Sequence, residues 1–228
     1  MVIRGLQKLT LLDYPGKLAA TVFLGGCNFR CPFCHNASLV LGTGGESIPE
    51  EEFFSFLDKR RGVLEAVCIS GGEPTLYEQL PSFIKEIRAR GFLVKLDTNG
   101  YRPDVLSSLI SEGLLDYVAM DIKSSREGYA VCAGVSDFDV SLIEKSVDIL
   151  RCGKVDYEFR TTVVKGLHTE EDMRGIGRWL SGEKKLYLQP FRDSHDILGE
   201  GVSAYSEAEI NRLLEVLREF VPLAQIRG

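Results

Sequence analysis

The stretch that decides the fold reads Leu18-Ala-Ala-Thr-Val-Phe-Leu-Gly-Gly-Cys-Asn-Phe-Arg-Cys-Pro-Phe-Cys-His35. Its first part, Leu18–Leu24, is a short apolar run of the kind that forms a buried strand. Three cysteines follow at once, at Cys27, Cys31 and Cys34. The cysteine loop is therefore predicted at the carboxyl end of a strand, where α/β proteins with parallel strands bind their ligands.

Five further segments share this short, apolar character, and each is followed by residues typical of turns or helix caps. They are Leu64–Ser70, Phe92–Asp97, Leu115–Ile122, Val155–Val164 and Lys185–Phe191. Apolar residues at helical spacing occupy Leu80–Ile87, Val140–Leu150 and Ile210–Leu217. Capping boxes are predicted at Ser47-Ile-Pro-Glu50 and at Ser206-Glu-Ala-Glu209. The alternation of strands and helices predicts parallel strands with right-handed crossovers, in an open doubly wound sheet or an incomplete barrel.

The composition is that of an ordinary globular protein. The chain has 228 residues, of which 44% are hydrophobic and 26% charged, and its formal net charge is −6. This acidic balance argues against broad, non-specific nucleic-acid binding, which needs a concentrated basic surface. No apolar run approaches the roughly 20 residues that span a bilayer. Because the N-terminus also lacks the pattern of a secretory signal, we expect a cytoplasmic protein with no membrane or nucleic-acid partner.

Three of the six cysteines crowd into the loop after the first strand. The spacing Cys27-x3-Cys31-x2-Cys34 suits a [4Fe–4S] cluster, because three thiolates can bind three irons and leave the fourth iron open. The competing hypotheses are a zinc site completed by His35, a redox disulfide between Cys31 and Cys34, and inert core cysteines. Three disulfides among the six cysteines are not expected, because a disulfide framework is typical of small secreted domains with little core. The spacing favours the cluster.

The same loop, with Phe33 directly before Cys34, resembles the C-x3-C-x-aromatic-C signature of the radical S-adenosylmethionine (SAM) superfamily. Ser70-Gly-Gly-Glu-Pro74 ends the second predicted strand and resembles the GGEP motif of that superfamily, although alone it also fits an ordinary glycine turn. The resemblance implies that the three loop cysteines bind the cluster and that SAM binds the open iron. It implies further SAM contacts at Phe33 (with the adenine), His35, Gly72 and Glu73.

Polar residues end the next two predicted strands as well. The third strand ends in Asp97-Thr-Asn-Gly, and the fourth ends in Asp121-Ile-Lys. Each could merely cap a turn, but the carboxyl ends of parallel strands meet at one edge of a sheet. The resemblance implies that Lys123 pairs with the SAM carboxylate and Asp121 with its ammonium group. Asp97 and Asn99 join the same expected cofactor site, with a monovalent cation near Asp97 and Asp121.

Leu-Asp-Thr-Asn-Gly and Asp-Ile-Lys narrow the resemblance to the glycyl-radical enzyme activases, such as pyruvate formate-lyase activating enzyme. Asp13-Tyr-Pro-Gly16 resembles their Asp-Gly-Pro-Gly stretch, with Tyr14 as a departure. The segment from Gly5 to Asn36 is most similar to the longer form of the anaerobic ribonucleoside-triphosphate reductase activating protein. The inserted ferredoxin-like domain with eight cysteines that many activases carry is absent from this sequence.

A second departure concerns the end of the sixth predicted strand. The simpler activases place a histidine after a Pro-aromatic pair there, whereas Gln189-Pro-Phe191 leads to Arg192 in this chain. The nearby His195 is interpreted as a surface residue. Three scattered cysteines, namely Cys68, Cys132 and Cys152, are predicted to be structural.

The resemblance implies an incomplete (βα)6 TIM-like barrel with parallel strands. It implies one radical SAM domain over residues 1–228, with an N-terminal extension over about 1–17 and a cluster loop over 25–36. The implied reaction is reductive cleavage of SAM to a 5′-deoxyadenosyl radical, which generates a glycyl radical on a partner enzyme, the anaerobic reductase in the closest resemblance. The cofactors, rather than catalytic side chains, carry this chemistry.

Reduced flavodoxin or ferredoxin is the expected electron donor. The alternatives are a radical SAM enzyme that acts on a small molecule and a non-catalytic Fe–S or zinc-binding protein. Release of 5′-deoxyadenosine after anaerobic reduction would separate the two enzymes from the non-catalytic protein.

Overall fold

The computed structural model describes residues 1–43, 46–192 and 196–228. The described residues form two compact units, and each unit is made of three segments of the chain. The first unit comprises Met1–Asn28, Ser38–Ala119 and Leu142–Asp156, and the second comprises Phe29–Ala37, Met120–Ser141 and Tyr157–Gly228. The single domain expected over residues 1–228 stays a prediction.

Strands and helices alternate along most of the chain. The strands are β1 (Ile3–Thr10), β2 (Ala19–Leu24), β3 (Ala66–Gly71), β4 (Leu93–Thr98), β5 (Tyr117–Asp121), β6 (Asp156–Val163), β7 (Leu186–Pro190) and β8 (Gln225–Ile226). The helices are α1 (Ala37–Leu41), α2 (Glu50–Asp58), α3 (Leu80–Ala89), α4 (Pro103–Ser111), α5 (Tyr129–Ala133), α6 (Val140–Arg151), α7 (Glu170–Trp179) and α8 (Glu207–Arg218). A short 3-10 helix covers Pro74–Leu76.

The strands lie in the sheet in the same order as in the chain, from β1 to β8. The pairs β2–β3, β3–β4, β6–β7 and β7–β8 are parallel. The six predicted strands correspond to β2 through β7, each within a few residues of its predicted bounds. The predicted α/β fold class, with parallel strands joined by helices, is confirmed.

The N-terminal extension predicted over about residues 1–17 contains a strand that the sequence did not indicate. Ile3–Thr10 forms β1, which pairs antiparallel with β2 at one edge of the sheet. Only its two end residues are buried and its second half contains the exposed Gln7 and Lys8, so the segment lacks the apolar run that indicates a buried strand. Pairing with a neighbouring strand, rather than local composition, makes it a strand.

In the first unit, β2, β3 and β4 run side by side with their carboxyl ends at one edge. The adjacent residues Ala19 and Ala20 of β2, which point to opposite faces, are completely buried, as are Val67 and Cys68 of β3. A strand that is covered on both faces reads as a continuous apolar run, which explains why these strands were visible in the sequence.

Tyr14, the departure from the Asp-Gly-Pro-Gly pattern, belongs to the core of this unit. Its side chain is buried with Ala19, Ala66 and Cys68, and its ring lies 5.8 Å from that of Tyr117. Burial raises the pKa of the Tyr14 hydroxyl to about 12. We infer that the aromatic ring replaces the pattern's glycine in order to fill apolar space.

In the second unit, aromatic packing joins α5 to α7. The ring of Tyr129 is stacked on Phe138 at 5.0 Å and meets Trp179 edge-on at 6.1 Å. The guanidinium of Arg126 lies 4.9 Å from the Trp179 ring. These contacts fix the segment that follows β5, and this segment includes the predicted site residue Lys123.

One predicted capping box is confirmed and the other is wrong. Ser206 and Glu209 cap α8 reciprocally, as the sequence predicts. Near Ser47, α2 begins after Pro49 without a side-chain cap. Proline in the N-cap position offers no hydroxyl, and three glutamates in the first turn supply favourable charge at the helix N-terminus instead.

None of the helices in the described part of the chain has both the length and the apolar character that crossing a bilayer requires.

Replacing Ser206 by alanine tests the capping box. The hydroxyl of Ser206 accepts a hydrogen bond from the Glu209 backbone N–H at 3.3 Å. We expect Ser206→Ala to lower the free energy of unfolding by about 1 kcal/mol in a denaturant titration. Ser55→Ala, at an exposed position inside α2, is the matched control and should change it by less than about 0.5 kcal/mol. Equal effects of the two substitutions would contradict the capping role.

Candidate functional site

The two glycines at the end of β3 bring its backbone against the loop that begins at Gly25. The N–H of Glu73 donates to the carbonyl of Gly26 at 2.8 Å, and that of Gly72 donates to Leu24 at 2.8 Å. A Cβ atom on Gly72 would lie 1.8 Å from the Gly26 carbonyl oxygen. Gly71 also has a φ of 122°, which only glycine adopts readily. Glycine is therefore required at both positions for the turn to contact the start of the cysteine loop.

Glu73 is completely buried, and its carboxylate organises the strand ends of the first unit. Oε1 accepts from the Thr75 N–H at 3.0 Å and from the Thr98 hydroxyl at 2.8 Å, and Oε2 accepts from the Asn99 N–H at 2.7 Å. Burial raises the pKa of Glu73, although these hydrogen bonds oppose the shift. The Glu73 side chain thus ties the turn after β3 to the end of β4.

Asn99 reaches from the end of β4 to the cysteine loop. Its side-chain nitrogen donates to Asn28 Oδ1 at 2.8 Å and lies 3.9 Å from the sulfur of Cys27. Its side-chain oxygen accepts from the Tyr101 N–H at 3.0 Å. The predicted site residues Cys27, Gly72, Glu73 and Asn99 are therefore gathered at one edge of the first unit.

Asp97 forms an ion pair that the sequence did not predict. The ammonium group of Lys95, whose side chain is 1% exposed, pairs with Asp97 Oδ1, and the hydroxyl of Ser70 donates to Oδ2 at 3.0 Å. Lys95 and Asp97 are two residues apart in β4, so both side chains lie on the same face of the strand. The signal in the sequence was a single lysine inside the apolar run Phe92–Asp97.

In the second unit, backbone contacts hold the remainder of the cysteine loop. The N–H of Arg30 donates to the Ala133 carbonyl at 2.8 Å, and that of Gly199 donates to the Pro32 carbonyl at 2.8 Å. A Cβ atom on Gly134 would lie 2.1 Å from the Arg30 carbonyl oxygen. The loop is thus fixed by its main chain, and its side chains do not have to hold it in place.

Asp121 is the centre of a charged cluster at the end of β5. Its Oδ2 lies 2.9 Å from Lys123 Nζ, and its Oδ1 lies 2.9 Å from Arg160 Nε. Burial alone would raise the pKa of Asp121, but the charges of Arg160 and then Lys123 lower it to about 2. Burial alone would lower the pKa of Lys123, but the charges of Asp121 and then Cys31 raise it above its usual value. All three groups are therefore ionised at neutral pH.

His168 is a second residue that sequence reasoning missed. The side chain is buried, its Nδ1 accepts from the Val164 N–H at 3.1 Å, and its Nε2 lies 2.7 Å from the Lys123 carbonyl oxygen. Burial lowers the pKa of His168. We infer a neutral ring that carries its proton on Nε2 and donates it to Lys123. The Phe33 ring packs edge-on against His168 at 5.9 Å, so this histidine links the cysteine loop to the end of β5.

His35 and the remaining cysteines complete the set of predicted residues. The His35 ring stacks on Phe191 at 4.9 Å, within the second unit. Cys68 and Cys132 are buried, and burial raises the pKa of these thiols to about 12 and about 11, respectively. Cys152 is exposed. His195 lies outside the described residues.

The chemistry of the donors on the cysteine loop suits the expected cluster. None of the six cysteines forms a disulfide, and the loop from Cys27 to Cys34 presents three thiols within eight residues. Thiolates are the protein ligands of cubane iron–sulfur clusters. Among the described residues, no three His, Cys, Asp or Glu side chains are grouped as they would be around a single metal ion.

Comparison with known proteins identifies a family with these features. A family model described as the radical SAM superfamily matches residues 21–178. A Methanocaldococcus jannaschii protein, provisionally named a glycyl-radical enzyme activating enzyme, is 32% identical over 99% of this chain and 95% of its own length. The pyruvate formate-lyase-activating enzyme of Clostridium pasteurianum is 30% identical over 58% of this chain and 57% of its own.

The fold is also similar to that of a solved structure. The structure of Streptococcus suis SuiB bound to S-adenosylmethionine aligns with a TM-score of 0.62 at 14% identity. The alignment covers 91% of this chain and 51% of that one. At this identity the likeness concerns the fold alone.

Replacing Asp121 by asparagine tests the charged cluster. Asp121→Asn leaves Lys123 and Arg160, which are 16% and 14% exposed, without their shared carboxylate. We expect the free energy of unfolding at pH 7 to fall by about 3 kcal/mol. Asp104→Asn removes the carboxylate of the exposed pair with Arg102 and, as the matched control, should cost less than about 1 kcal/mol.

The stabilisation that Asp121 provides should also depend on pH. Because the folded pKa of Asp121 is depressed to about 2, its stabilisation is present above the ordinary pKa near 4 and is lost as the pH falls toward 2. Denaturant titrations of wild type and Asp121→Asn should therefore differ most above pH 4 and converge toward pH 2. A difference that stays constant over this range would contradict the pairing.

Proposed function

This chain belongs to the radical SAM superfamily, and we propose that within it the chain acts as a glycyl-radical enzyme activase. The observation that carries this proposal is the 32% identity to the Methanocaldococcus jannaschii relative, which extends over nearly the full length of both chains. Cys27, Cys31 and Cys34 would hold the cluster, because these three thiols lie on a loop that is anchored by its main chain.

Enzymes of this superfamily use a [4Fe–4S] cluster and SAM. In the proposed reaction, one electron and one SAM are consumed and a hydrogen atom leaves a glycine Cα of the partner protein, so that methionine, 5′-deoxyadenosine and a glycine-centred radical are formed. The protein's task is to bind and orient the reacting groups and to exclude competing reactions.

In the first unit, the proposed SAM contacts are Gly72, Glu73, Asp97 and Asn99. Gly72 has no side chain, so a ligand can approach the backbone of the turn after β3. Glu73 is saturated by hydrogen bonds from Thr75, Thr98 and Asn99, and it would act by holding this turn in place. Asp97 and Asn99 would contact SAM from the end of β4.

In the second unit, Lys123 is the proposed partner of the SAM carboxylate, and aromatic rings are the proposed contacts of its adenine. Lys123 stays protonated because Asp121 lies 2.9 Å from its ammonium group, so it is suited to the SAM carboxylate. His168 holds the Lys123 backbone through the carbonyl oxygen. Phe33 is suited to contact the adenine, and His35, stacked on Phe191, would border the same ligand.

The partner is proposed to be the anaerobic ribonucleoside-triphosphate reductase. Support comes from the similarity of the segment Gly5–Asn36 to the activating protein of that enzyme. Reduced flavodoxin or ferredoxin is the proposed electron donor, and the cytoplasm is the proposed compartment.

Cys31→Ala tests the cluster assignment. After anaerobic reconstitution we expect the variant to lose most of its iron and all dithionite-dependent release of 5′-deoxyadenosine, because one iron loses its thiolate. Cys152→Ala removes an exposed cysteine outside the loop and should match wild type in both measurements. Near-normal turnover by Cys31→Ala would refute the assignment.

Gly72→Ala tests the backbone contact beneath the cluster loop. Because the new Cβ would overlap the Gly26 carbonyl oxygen, the loop must shift, and we expect the iron content to fall by at least about half. Gly5→Ala is the control, since its Cβ meets only the Phe23 side chain at 3.3 Å. Equal iron content in both variants would show that the contact is unimportant for the loop.

Electron paramagnetic resonance distinguishes the activase from its alternatives. The reduced enzyme, SAM and the anaerobic reductase should give a glycine-centred doublet, whereas a reductase variant with its radical glycine replaced by alanine should give none. Release of 5′-deoxyadenosine without a doublet on any glycyl-radical enzyme would favour a small-molecule substrate. No release at all would favour a non-catalytic protein.

A further inference from the structure

We propose that the Lys95 ammonium group serves as a built-in monovalent cation for the Asp97 carboxylate, so that SAM binding needs no added sodium or potassium. The inference rests on the SAM-binding part of the proposed function and not on the identity of the partner. It replaces the expectation that a monovalent cation binds near Asp97 and Asp121.

The position of Lys95 inside the fold supports this role. The residue lies in the middle of β4, in register with Cys68 of β3, and its side chain is almost completely buried. A buried lysine costs free energy unless a carboxylate pairs with it. Asp97, which is 15% exposed, provides that carboxylate.

Both oxygens of Asp97 have donors from the chain. Lys95 Nζ pairs with Oδ1, and the Ser70 hydroxyl donates to Oδ2 at 3.0 Å. A metal ion at Oδ1 would have to compete with an ammonium group that is tethered to the same strand. The tether makes this competition intramolecular, so the ammonium group has a high effective concentration.

Asp121, in the second unit, is neutralised in the same way. Lys123 Nζ lies 2.9 Å from its Oδ2, and Arg160 Nε lies 2.9 Å from its Oδ1. Each of the two carboxylates expected to bind a cation thus has a cationic side chain of its own unit. Since Lys123 is also the proposed partner of the SAM carboxylate, Lys95 is the residue that allows the clearer test.

Removal of Lys95 should convert the tethered site into one that binds a cation from solution. Lys95→Ala would leave the Asp97 carboxylate without its ammonium partner. It would also leave a cavity where the lysine side chain had been. A potassium or ammonium ion could then enter and bind Asp97. Lys95→Met removes the charge but fills most of the space, so it should respond much less to these ions.

The first experiment measures thermal unfolding of the cluster-free protein in choline, sodium, potassium or ammonium chloride at equal ionic strength. We expect the Tm of wild type to change by less than about 1 °C between these salts, and that of Lys95→Ala to rise by about 3 °C in potassium or ammonium. Lys85→Ala, which removes an exposed lysine paired with Glu112, should behave as wild type.

The second experiment measures the dissociation constant of SAM on the reconstituted proteins. Wild type should bind SAM within about twofold in every salt, whereas Lys95→Ala should bind about tenfold more weakly in choline and recover in potassium or ammonium. Lys95→Met should stay weak in all of them.

Two results would overturn the proposal. One is wild-type SAM affinity that falls several-fold when choline replaces potassium, and the other is a folded Lys95→Ala protein that responds to none of the ions. If Lys95→Ala does not fold, the SAM affinity of wild type in choline and in potassium still tests the proposal. Because these measurements need no partner protein, failure to find a glycyl radical would leave their outcome unaffected.

Discussion

The contact between two backbones, Gly72-Glu73 against Gly26, is the constraint on which the first unit depends. The carbonyl of Gly26 accepts the Glu73 N–H at 2.8 Å, and no atom beyond glycine's own hydrogens fits between the two segments. This approach places Glu73 where its buried carboxylate can receive the Thr98 hydroxyl and the Asn99 N–H. Asn99 in turn reaches Asn28 and lies beside Cys27. One close approach of main chains thus orders three successive strand ends.

Charge neutralisation inside each unit is the second organising feature. Asp97 is neutralised by Lys95, and Asp121 by Lys123 and Arg160. A charged group that is withdrawn from water must be paired, because its desolvation would otherwise cost several kcal/mol. The pairs also define which charges remain to act on a ligand. Lys123, fixed by Asp121 and by the contact of His168 with its carbonyl oxygen, is preorganised for the proposed contact with the SAM carboxylate.

The sequence predicted the strands β2 to β7 because each is rich in aliphatic, aromatic or β-branched residues, and β2, β3 and β5 are also buried along most of their length. The C-x3-C-x2-C spacing likewise pointed to the radical SAM superfamily, since ligand spacing on one loop is a local property. β1 was missed because its polar residues form a strand only through pairing with β2. The capping box predicted at Ser47 was wrong because Pro49, rather than a hydroxyl residue, precedes α2. Tyr14, a departure from the motif in the sequence, proved to be a core residue.

The sequence by itself thus determined the α/β class, the superfamily and the thiols available for a cluster, because periodicity and motif spacing are written in consecutive residues. Only the tertiary structure decided the partners of the charged groups. Lys95 and Asp97 share a face of β4 by strand alternation, but only the fold shows that this face is buried and that the pair is withdrawn from water. Arg160, 39 residues from Asp121, could be paired with it only once folding brought the two segments together. His168 lies 45 residues from Lys123 and gave no signal of its own. Pairings between residues so far apart in the chain depend on how the strands are arranged in the fold, which no local pattern encodes.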